Sequence, residues 1–386
     1  MARRSFRRAK PQRGAFRLSN VILLVVSCTF ALMLGEGLFR LILFSDAFPG
    51  LAQGLTKFIG DIYAGDVGYR LQHRLELRGR EDEPLFPEFH PLLGWTARPI
   101  RDDNPLGITT NAPYSLDTLR YKKTVLFFGD SFTYGLTDLE YKIPQLLDLK
   151  LVDLSVLNLG VAGYGLDQMY LYLKTVRDSL DEVHVMIGLF YNDIDRCVYK
   201  IREAPKPYFE VEAGELILKG TPLPAHYGKW LEVYPLPGRS YLLSAGVGSI
   251  RRQFKRRWAS ENFFQFHPSE TQRKREEKEA LTRFLLEKIK EETDRKGWEL
   301  TFVVFPYRIH LIKQGWYEAF LRKQFAELSI DYVDMKEPLL RHMKENRLQW
   351  HQLYLNNNHP TVEENQLMVD FLADYVKQQY GYEIRR

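Results

Sequence analysis

The feature that most constrains the fold is a regular alternation of short apolar runs with longer helical patterns, which begins at Thr124. The apolar runs are TVLFF, VLNL, VHVMIGLF, LTFVVF and DYVDM, and the stretches between them include LDQMYLYLKTVRDSL and EEKEALTRFLLEKIKEETDRK. Short continuous apolar runs are typical of strands buried on both faces, and strands that alternate with helices form parallel sheets. The sequence therefore predicts an α/β domain, a three-layer sandwich around a five-stranded parallel sheet.

A basic and then apolar N-terminus precedes this domain. Residues 1–18 carry seven Arg or Lys residues and no acid, and residues 19–44 form an apolar stretch long enough to span a bilayer. Cations directly before an apolar helix follow the positive-inside rule, so we predict a transmembrane signal anchor with a cytoplasmic N-terminus. The remaining chain is then expected in the periplasm or outside the cell. A cleaved signal peptide is the alternative, but no small-x-small site follows the apolar run.

The composition argues against several other classes of partner. Without the seven cations of the tail, the formal net charge of +5 becomes −2, so no nucleic-acid partner is expected. The two cysteines, Cys28 in the apolar run and Cys197, predict no intrachain disulfide. The nine histidines are scattered along the chain, so neither a metal site nor a cofactor is expected.

Two stretches interrupt the periodic pattern. Residues 45–118 are rich in Gly, Pro and Arg with weak periodicity, and we interpret them as a connecting segment that leads into the main domain, residues 119–386. Within that domain the alternation breaks between about residues 201 and 271, where Pro-rich stretches and the basic run RRQFKRRW occur. An interruption of this length exceeds an ordinary loop, so we predict a cap insertion.

The stretch VLFFGDSFTYGL places polar groups at the end of the first strand. A strand that ends at Phe128 delivers Gly129, Asp130 and Ser131 to the carboxyl edge of the sheet, where α/β proteins hold their functional groups. A small residue allows the sharp turn that exposes a hydroxyl at the start of the next helix. Gly-Asp-Ser is also an ordinary turn or helix N-cap, and the tripeptide alone does not distinguish the two interpretations.

Three further motifs are expected at the same edge. NLGVAGYG follows the second strand, FYNDI follows the third, and NNNHPT precedes the last helix. With the GDS motif, these four blocks resemble those of the SGNH, or GDSL-type, hydrolase superfamily, from about residue 120 to the C-terminus. The resemblance implies that Ser131 is the nucleophile, that Gly163 and Asn192 help to bind an oxyanion, and that His359 is the base. Each residue taken alone has a structural alternative: Gly163 turns the chain, and Asn192 and His359 cap helices.

These residue types suit the cleavage of an acyl ester. A hydroxyl attacks the carbonyl carbon, a base accepts its proton, and N–H donors stabilise the oxyanion. The expected donors are the N–H groups of Ser131 and Gly163 and the side-chain amide of Asn192, and a glycine allows close approach of its backbone. We therefore expect a serine ester hydrolase whose substrate is an acylated small molecule, glycan or lipid.

One position departs from the family pattern. Members of the family usually carry Asp three residues before the histidine, and this chain has Asn356 there. Asn orients an imidazole but does not neutralise the imidazolium that forms during catalysis. A Ser–His dyad, another acid such as Asp334, or a loss of activity are the alternatives. Two further functions remain open: an O-acyltransferase for a surface polysaccharide, and a catalytically weakened module that binds glycan or lipid.

Overall fold

The computed structural model describes residues 18–44, 50–51, 88–109, 114–115, 119, 123–176, 180–200, 206–223, 242, 268–307, 311, 315–355 and 359–385. The helices are α1 (Leu18–Phe44), α2 (Ser131–Tyr134), α3 (Ile143–Lys150), α4 (Leu166–Thr175), α5 (Tyr191–Arg196), α6 (Pro268–Lys296), α7 (Trp316–Glu327), α8 (Lys336–Asn346), α9 (Trp350–Leu353) and α10 (Val362–Tyr380), with a 3₁₀ turn at Leu139–Tyr141. The strands are β1 (Phe89–His90), β2 (Gly94–Trp95), β3 (Lys123–Gly129), β4 (Leu154–Gly160), β5 (Val183–Phe190), β6 (Tyr208–Glu212), β7 (Glu215–Lys219), β8 (Glu299–Phe305) and β9 (Asp331–Asp334).

The central sheet has five parallel strands in the order β4-β3-β5-β8-β9. Each of the five apolar runs in the sequence forms one of these strands, which confirms the predicted fold class. Helices α4, α6 and α7 pack on one face of the sheet, and α3, α8 and α10 pack on the other. The result is the expected three-layer sandwich, in which β3 lies between β4 and β5.

Strand β3 shows why these runs are continuously apolar. Leu126 and Phe128 are buried in the core on the α4 face, whereas Val125 and Phe127 are buried in the core on the α10 face. Side chains alternate between the faces of a strand, so a strand covered on both sides needs apolar residues at every position. Complete burial of one such side chain contributes about 1.5–3 kcal/mol to folding. This burial fixes the end of β3, from which the site begins.

Part of the connecting segment belongs to the core of the main domain. Strands β1 and β2 form a short antiparallel hairpin. Four side chains of this part of the segment are buried in the core on the α4 face, namely Leu93, Trp95, Leu106 and Ile108. The Gln168 side chain on α4 also donates a hydrogen bond to the Leu93 carbonyl, at 2.9 Å. Residues 88–109 therefore support the layer of helices that lies beneath the predicted site.

The predicted cap is described only in part. It contains an antiparallel hairpin, β6–β7, and α6 begins at Pro268, close to the predicted end of the insertion. The basic run RRQFKRRW lies outside the described residues.

The chain divides into two compact units, residues 1–64 with 237–259 and residues 65–236 with 260–386. In the first unit, α1 contains a stretch, Asn20–Ile42, that is long and apolar enough to span a membrane, with a mean hydropathy of 2.2. Glu36 accepts a hydrogen bond from the Arg40 side chain at 2.7 Å and another from the Leu242 N–H at 2.9 Å. These bonds satisfy the carboxylate near the C-terminal end of α1.

Candidate active site

The GDS motif forms the predicted turn from strand to helix. Strand β3 ends at Gly129, and Ser131 is the first residue of α2. Asp130 between them is completely buried and caps the helix, because its Oδ1 accepts the Phe132 N–H at 2.8 Å. The cap holds the turn in one conformation and leaves the Ser131 side chain half-buried at the carboxyl edge of the sheet.

His359 lies 228 positions after Ser131 in the sequence but contacts it in the structure. The distance from His359 Nε2 to Ser131 Oγ is 2.9 Å. The segment before α10 is tied at both ends: Leu355 N–H donates to the His359 carbonyl at 2.7 Å, and Thr361 N–H donates to the Leu353 carbonyl at 2.9 Å. The imidazole also packs against Phe132 of α2, with ring centroids 5.4 Å apart. The backbone and the ring contact together orient His359 towards the hydroxyl.

Gly163 and Asn192 follow the two strands that flank β3. Gly163 follows β4 and Asn192 is in the first turn of α5 after β5, so the two strands that flank β3 deliver them to one edge. Gly163 is buried with φ of 84°, a left-handed conformation that favours glycine. The Asn192 side chain is exposed. All four blocks of the sequence thus reach the carboxyl edge of the sheet.

The acid that would orient His359 is not assigned by the described contacts. Asn356 lies outside the described residues. Asp334 ends β9, the outermost strand on its side of the sheet, and its Oδ1 accepts the Lys336 N–H at 3.0 Å. Burial raises the pKa of Asp334, as does the nearby Glu318. Its hydrogen bond gives Asp334 a local role at the start of α8.

A row of three glycines, which sequence reasoning missed, makes room for α2. Gly129 pairs with Gly160 on β4 and with Gly188 on β5, so the three lie side by side across the sheet. A Cβ atom at Gly129 or Gly188 would lie 2.0 or 2.1 Å from Thr133 Oγ1, and one at Gly160 would lie 2.3 Å from Tyr134 N. This glycine row (Gly129, Gly160 and Gly188) therefore lets the helix that carries Ser131 lie directly against three strand ends.

Beneath the site lies a buried ionic cluster that sequence reasoning also missed. The Arg196 side chain, at the end of α5, forms ion pairs with Asp130 at 2.8 Å and Asp193 at 2.6 Å. Burial raises the pKa of Asp193 well above its usual range, the Asp130 carboxylate raises it further, and the Arg196 guanidinium opposes both. A buried pair of carboxyl groups is costly without a cation, and Arg196 supplies that cation.

Trp95 supports the turn that contains Gly163. The Trp95 indole N–H donates to the Ala162 carbonyl at 2.9 Å, and the Tyr164 hydroxyl donates to the Trp95 carbonyl. The two rings also make an edge-to-face contact, with centroids 5.5 Å apart. A residue of the predicted connecting segment therefore fixes the turn of the second block. The aromatic pattern GW was a visible signal in the sequence, but nothing there identified its partner.

The described residues contain no group of three His, Cys, Asp or Glu side chains that could hold a metal ion. The groups gathered at the site are a hydroxyl, an imidazole, and backbone and amide N–H donors, which together suit nucleophilic attack on a carbonyl.

Several solved structures are similar to this chain, although neither a protein-family model nor a curated relative matches it. One is a lipolytic protein of the G-D-S-L family from Veillonella parvula, with 14% identity and a TM-score of 0.37, covering 66% of this chain and 98% of the other. Another is the acetylxylan esterase Axe2 from Geobacillus stearothermophilus, with 16% identity and a TM-score of 0.36, covering 68% and 95%.

Proposed function

We propose that this chain is a membrane-anchored serine ester hydrolase whose domain lies outside the cytoplasm. The observation that carries the proposal is the 2.9 Å contact between Ser131 Oγ and His359 Nε2 at the carboxyl edge of a parallel sheet. A hydroxyl hydrogen-bonded to an imidazole nitrogen is the arrangement that activates serine for attack on a carbonyl carbon. The substrate is an O-acyl ester of a small molecule, a glycan or a lipid.

The reaction proceeds in two steps. Ser131 Oγ attacks the ester carbonyl while His359 Nε2 accepts the hydroxyl proton, and the resulting imidazolium then protonates the departing alcohol. A water molecule, deprotonated by His359, next attacks the acyl-enzyme, and Ser131 leaves with the proton restored. Each step forms one carbon–oxygen bond and breaks another, and the proton returns to its starting place.

Three donors stabilise the negative oxygen of each tetrahedral intermediate. These are the Ser131 N–H, the Gly163 N–H and the Asn192 side-chain amide, which lie on three neighbouring strand ends. Loss of one such donor costs about 10²–10³ in turnover in other serine hydrolases.

The orientation follows from the anchor. Helix α1 is preceded by seven cations and no acid, so the positive-inside rule keeps the N-terminus in the cytoplasm and places the domain on the far side.

One labelling experiment tests both the chemistry and the location. Intact spheroplasts that express the full chain are treated with a membrane-impermeant fluorophosphonate, which phosphonylates activated serines and releases fluoride. Wild type is expected to be labelled, and Ser131→Ala is expected to remain unlabelled because the nucleophile is gone. Ser155→Ala is the matched control, since it removes a half-buried hydroxyl from the opposite end of β4.

Each outcome has a separate meaning. Labelling that appears only after the cells are lysed would contradict the orientation but not the chemistry. Labelling of Ser131→Ala would refute the nucleophile. If the wild-type chain is not labelled in either preparation, the hydrolase proposal is wrong, and a module that only binds its ligand takes its place.

A further inference from the structure

Arg196 makes an unusual set of contacts for one side chain. Its Nη1 lies 2.6 Å from Asp193 Oδ1, 2.8 Å from Asp130 Oδ2 and 2.9 Å from the Tyr164 carbonyl oxygen. The Arg196 side chain is only 9% exposed, so these bonds form in a protein interior where charge-assisted hydrogen bonds are strong.

Each of the three acceptors is next in sequence to one of the proposed oxyanion donors. Asp130 precedes Ser131, Tyr164 follows Gly163, and Asp193 follows Asn192. The three segments follow three different strands, β3, β4 and β5. The Nη1 atom of Arg196 is hydrogen-bonded to all three segments.

We propose that Arg196 is a positioning residue that fixes the three oxyanion donors relative to one another. The inference rests on the proposed ester hydrolase function and assigns the rigidity of its oxyanion site to one buried cation. Preorganised donors stabilise a developing charge without reorganisation during the reaction, so their relative positions control the rate.

The second acceptor of the Ser131 hydroxyl strengthens this assignment. Besides His359 Nε2 at 2.9 Å, Ser131 Oγ lies 3.3 Å from Asp130 Oδ2. The hydroxyl has one proton, and it attacks productively only when that proton goes to His359. Because Arg196 donates to the same Oδ2 atom, it weakens that oxygen as an acceptor and favours His359. Arg196 thus acts on the nucleophile as well as on the donors.

The test compares two variants of the full chain with one control. Arg196→Gln removes the cation, whereas Arg196→Lys keeps it on a side chain one bond shorter, which retains some of the contacts and protects folding. Thr301→Val is the control, because it deletes buried hydrogen bonds to His184 (2.8 Å) and Tyr380 (2.6 Å) in the amino-terminal half of the sheet. All proteins are purified in detergent and compared at matched folded fractions.

Two independent measurements are made. The rate of fluorophosphonate labelling and the kcat for p-nitrophenyl acetate are expected to fall about 10²-fold in Arg196→Gln with little change in KM, and less in Arg196→Lys. Amide hydrogen exchange is expected to become faster by about 10-fold in the segments around Asp130, Gly163 and Asn192, and to stay unchanged in the amino-terminal half of the sheet.

The outcomes separate this inference from the proposed function. Folded Arg196→Gln with wild-type labelling and exchange would overturn the inference, as would an equal loss of rate in Thr301→Val. If wild type takes no probe, the hydrolase proposal fails, and hydrogen exchange alone decides the role of Arg196. Selective loosening of the three segments would then support it, and unchanged protection would overturn it.

Discussion

Gly188→Ala is expected to inactivate the site without any change in a residue proposed to touch substrate. Gly188 lies on β5 within the glycine row, and a Cβ there would lie 2.1 Å from Thr133 Oγ1 and 2.7 Å from Phe305 Cε2. Real contacts of this kind are essentially never shorter than 3.0 Å. Because Thr133 is completely buried on α2, two residues after Ser131, we expect the helix to shift to make room.

The size of the movement sets the size of the effect. Lengthening the contact from 2.1 Å to 3.0 Å requires a displacement of about 0.9 Å. A misplacement of about 1 Å at a reacting group costs on the order of 10² in rate, and overpacking of this kind costs about 1–3 kcal/mol in stability. We therefore expect a kcat about 10²-fold lower in a protein that still folds.

A second substitution tests the cause. Thr133→Ala removes the hydroxyl that the new methyl group would meet, so Gly188→Ala/Thr133→Ala is expected to recover most of the lost rate of fluorophosphonate labelling. Gly160→Ala provides the matched control, since its Cβ would meet the backbone nitrogen of Tyr134 at 2.3 Å, which no side-chain truncation relieves. Thr133→Ala should rescue the first variant and not the second.

The reasoning would be refuted in either of two ways. Wild-type labelling kinetics in Gly188→Ala would show that α2 does not depend on the glycine row. Alternatively, Thr133→Ala could fail to improve Gly188→Ala while improving Gly160→Ala, which would show that the contact with Thr133 is not what displaces the nucleophile.

Two other predictions concern protonation. Asn356→Asp is expected to raise kcat by no more than the ~10⁴-fold that the converse change costs in a serine protease. The acid limb of the pH–rate profile is expected to move to higher pH, because a carboxylate favours protonated His359. An unchanged rate and profile would show that residue 356 does not face the imidazole. Burial lowers the pKa of His184 to about 3, whereas an unfolded histidine titrates near 6.5. Below about pH 6.5, protons therefore bind this histidine in the unfolded chain but not in the folded one. We expect the free energy of unfolding, measured by urea denaturation, to fall by about 2 kcal/mol between pH 7 and 5. The same loss is expected to be absent in His184→Gln.

The parts of this protein that sequence predicts well are those determined by local pattern. Five apolar runs became five strands because strands buried on both faces need apolar residues at every position. The turn at Ser131 followed from glycine and from the capping carboxylate of Asp130. His359 was found only through the resemblance, since no local pattern links it to Ser131.

The parts that it predicts poorly depend on strand order and on long-range contacts. Gly160 and Gly188 gain their role only because β4 and β5 flank β3 in register, and the sequence does not encode register visibly. Arg196 follows two acids on a short helix, a pattern typical of solvated charge, yet the fold buries it beneath the site. Trp95 lies in a segment interpreted as a connection, and its partner Ala162 is 67 positions away.

On the proposed function, the separation of Ser131 from His359 in the sequence also governs when the chain first becomes reactive during synthesis. The two residues are 228 positions apart, so at about 5–20 residues per second the nucleophile is synthesised roughly 10 to 50 s before its base. During that interval the growing chain holds a serine with an ordinary, unactivated hydroxyl. A Ser131 nucleophile would therefore gain its base only once the final helix, α10, has docked.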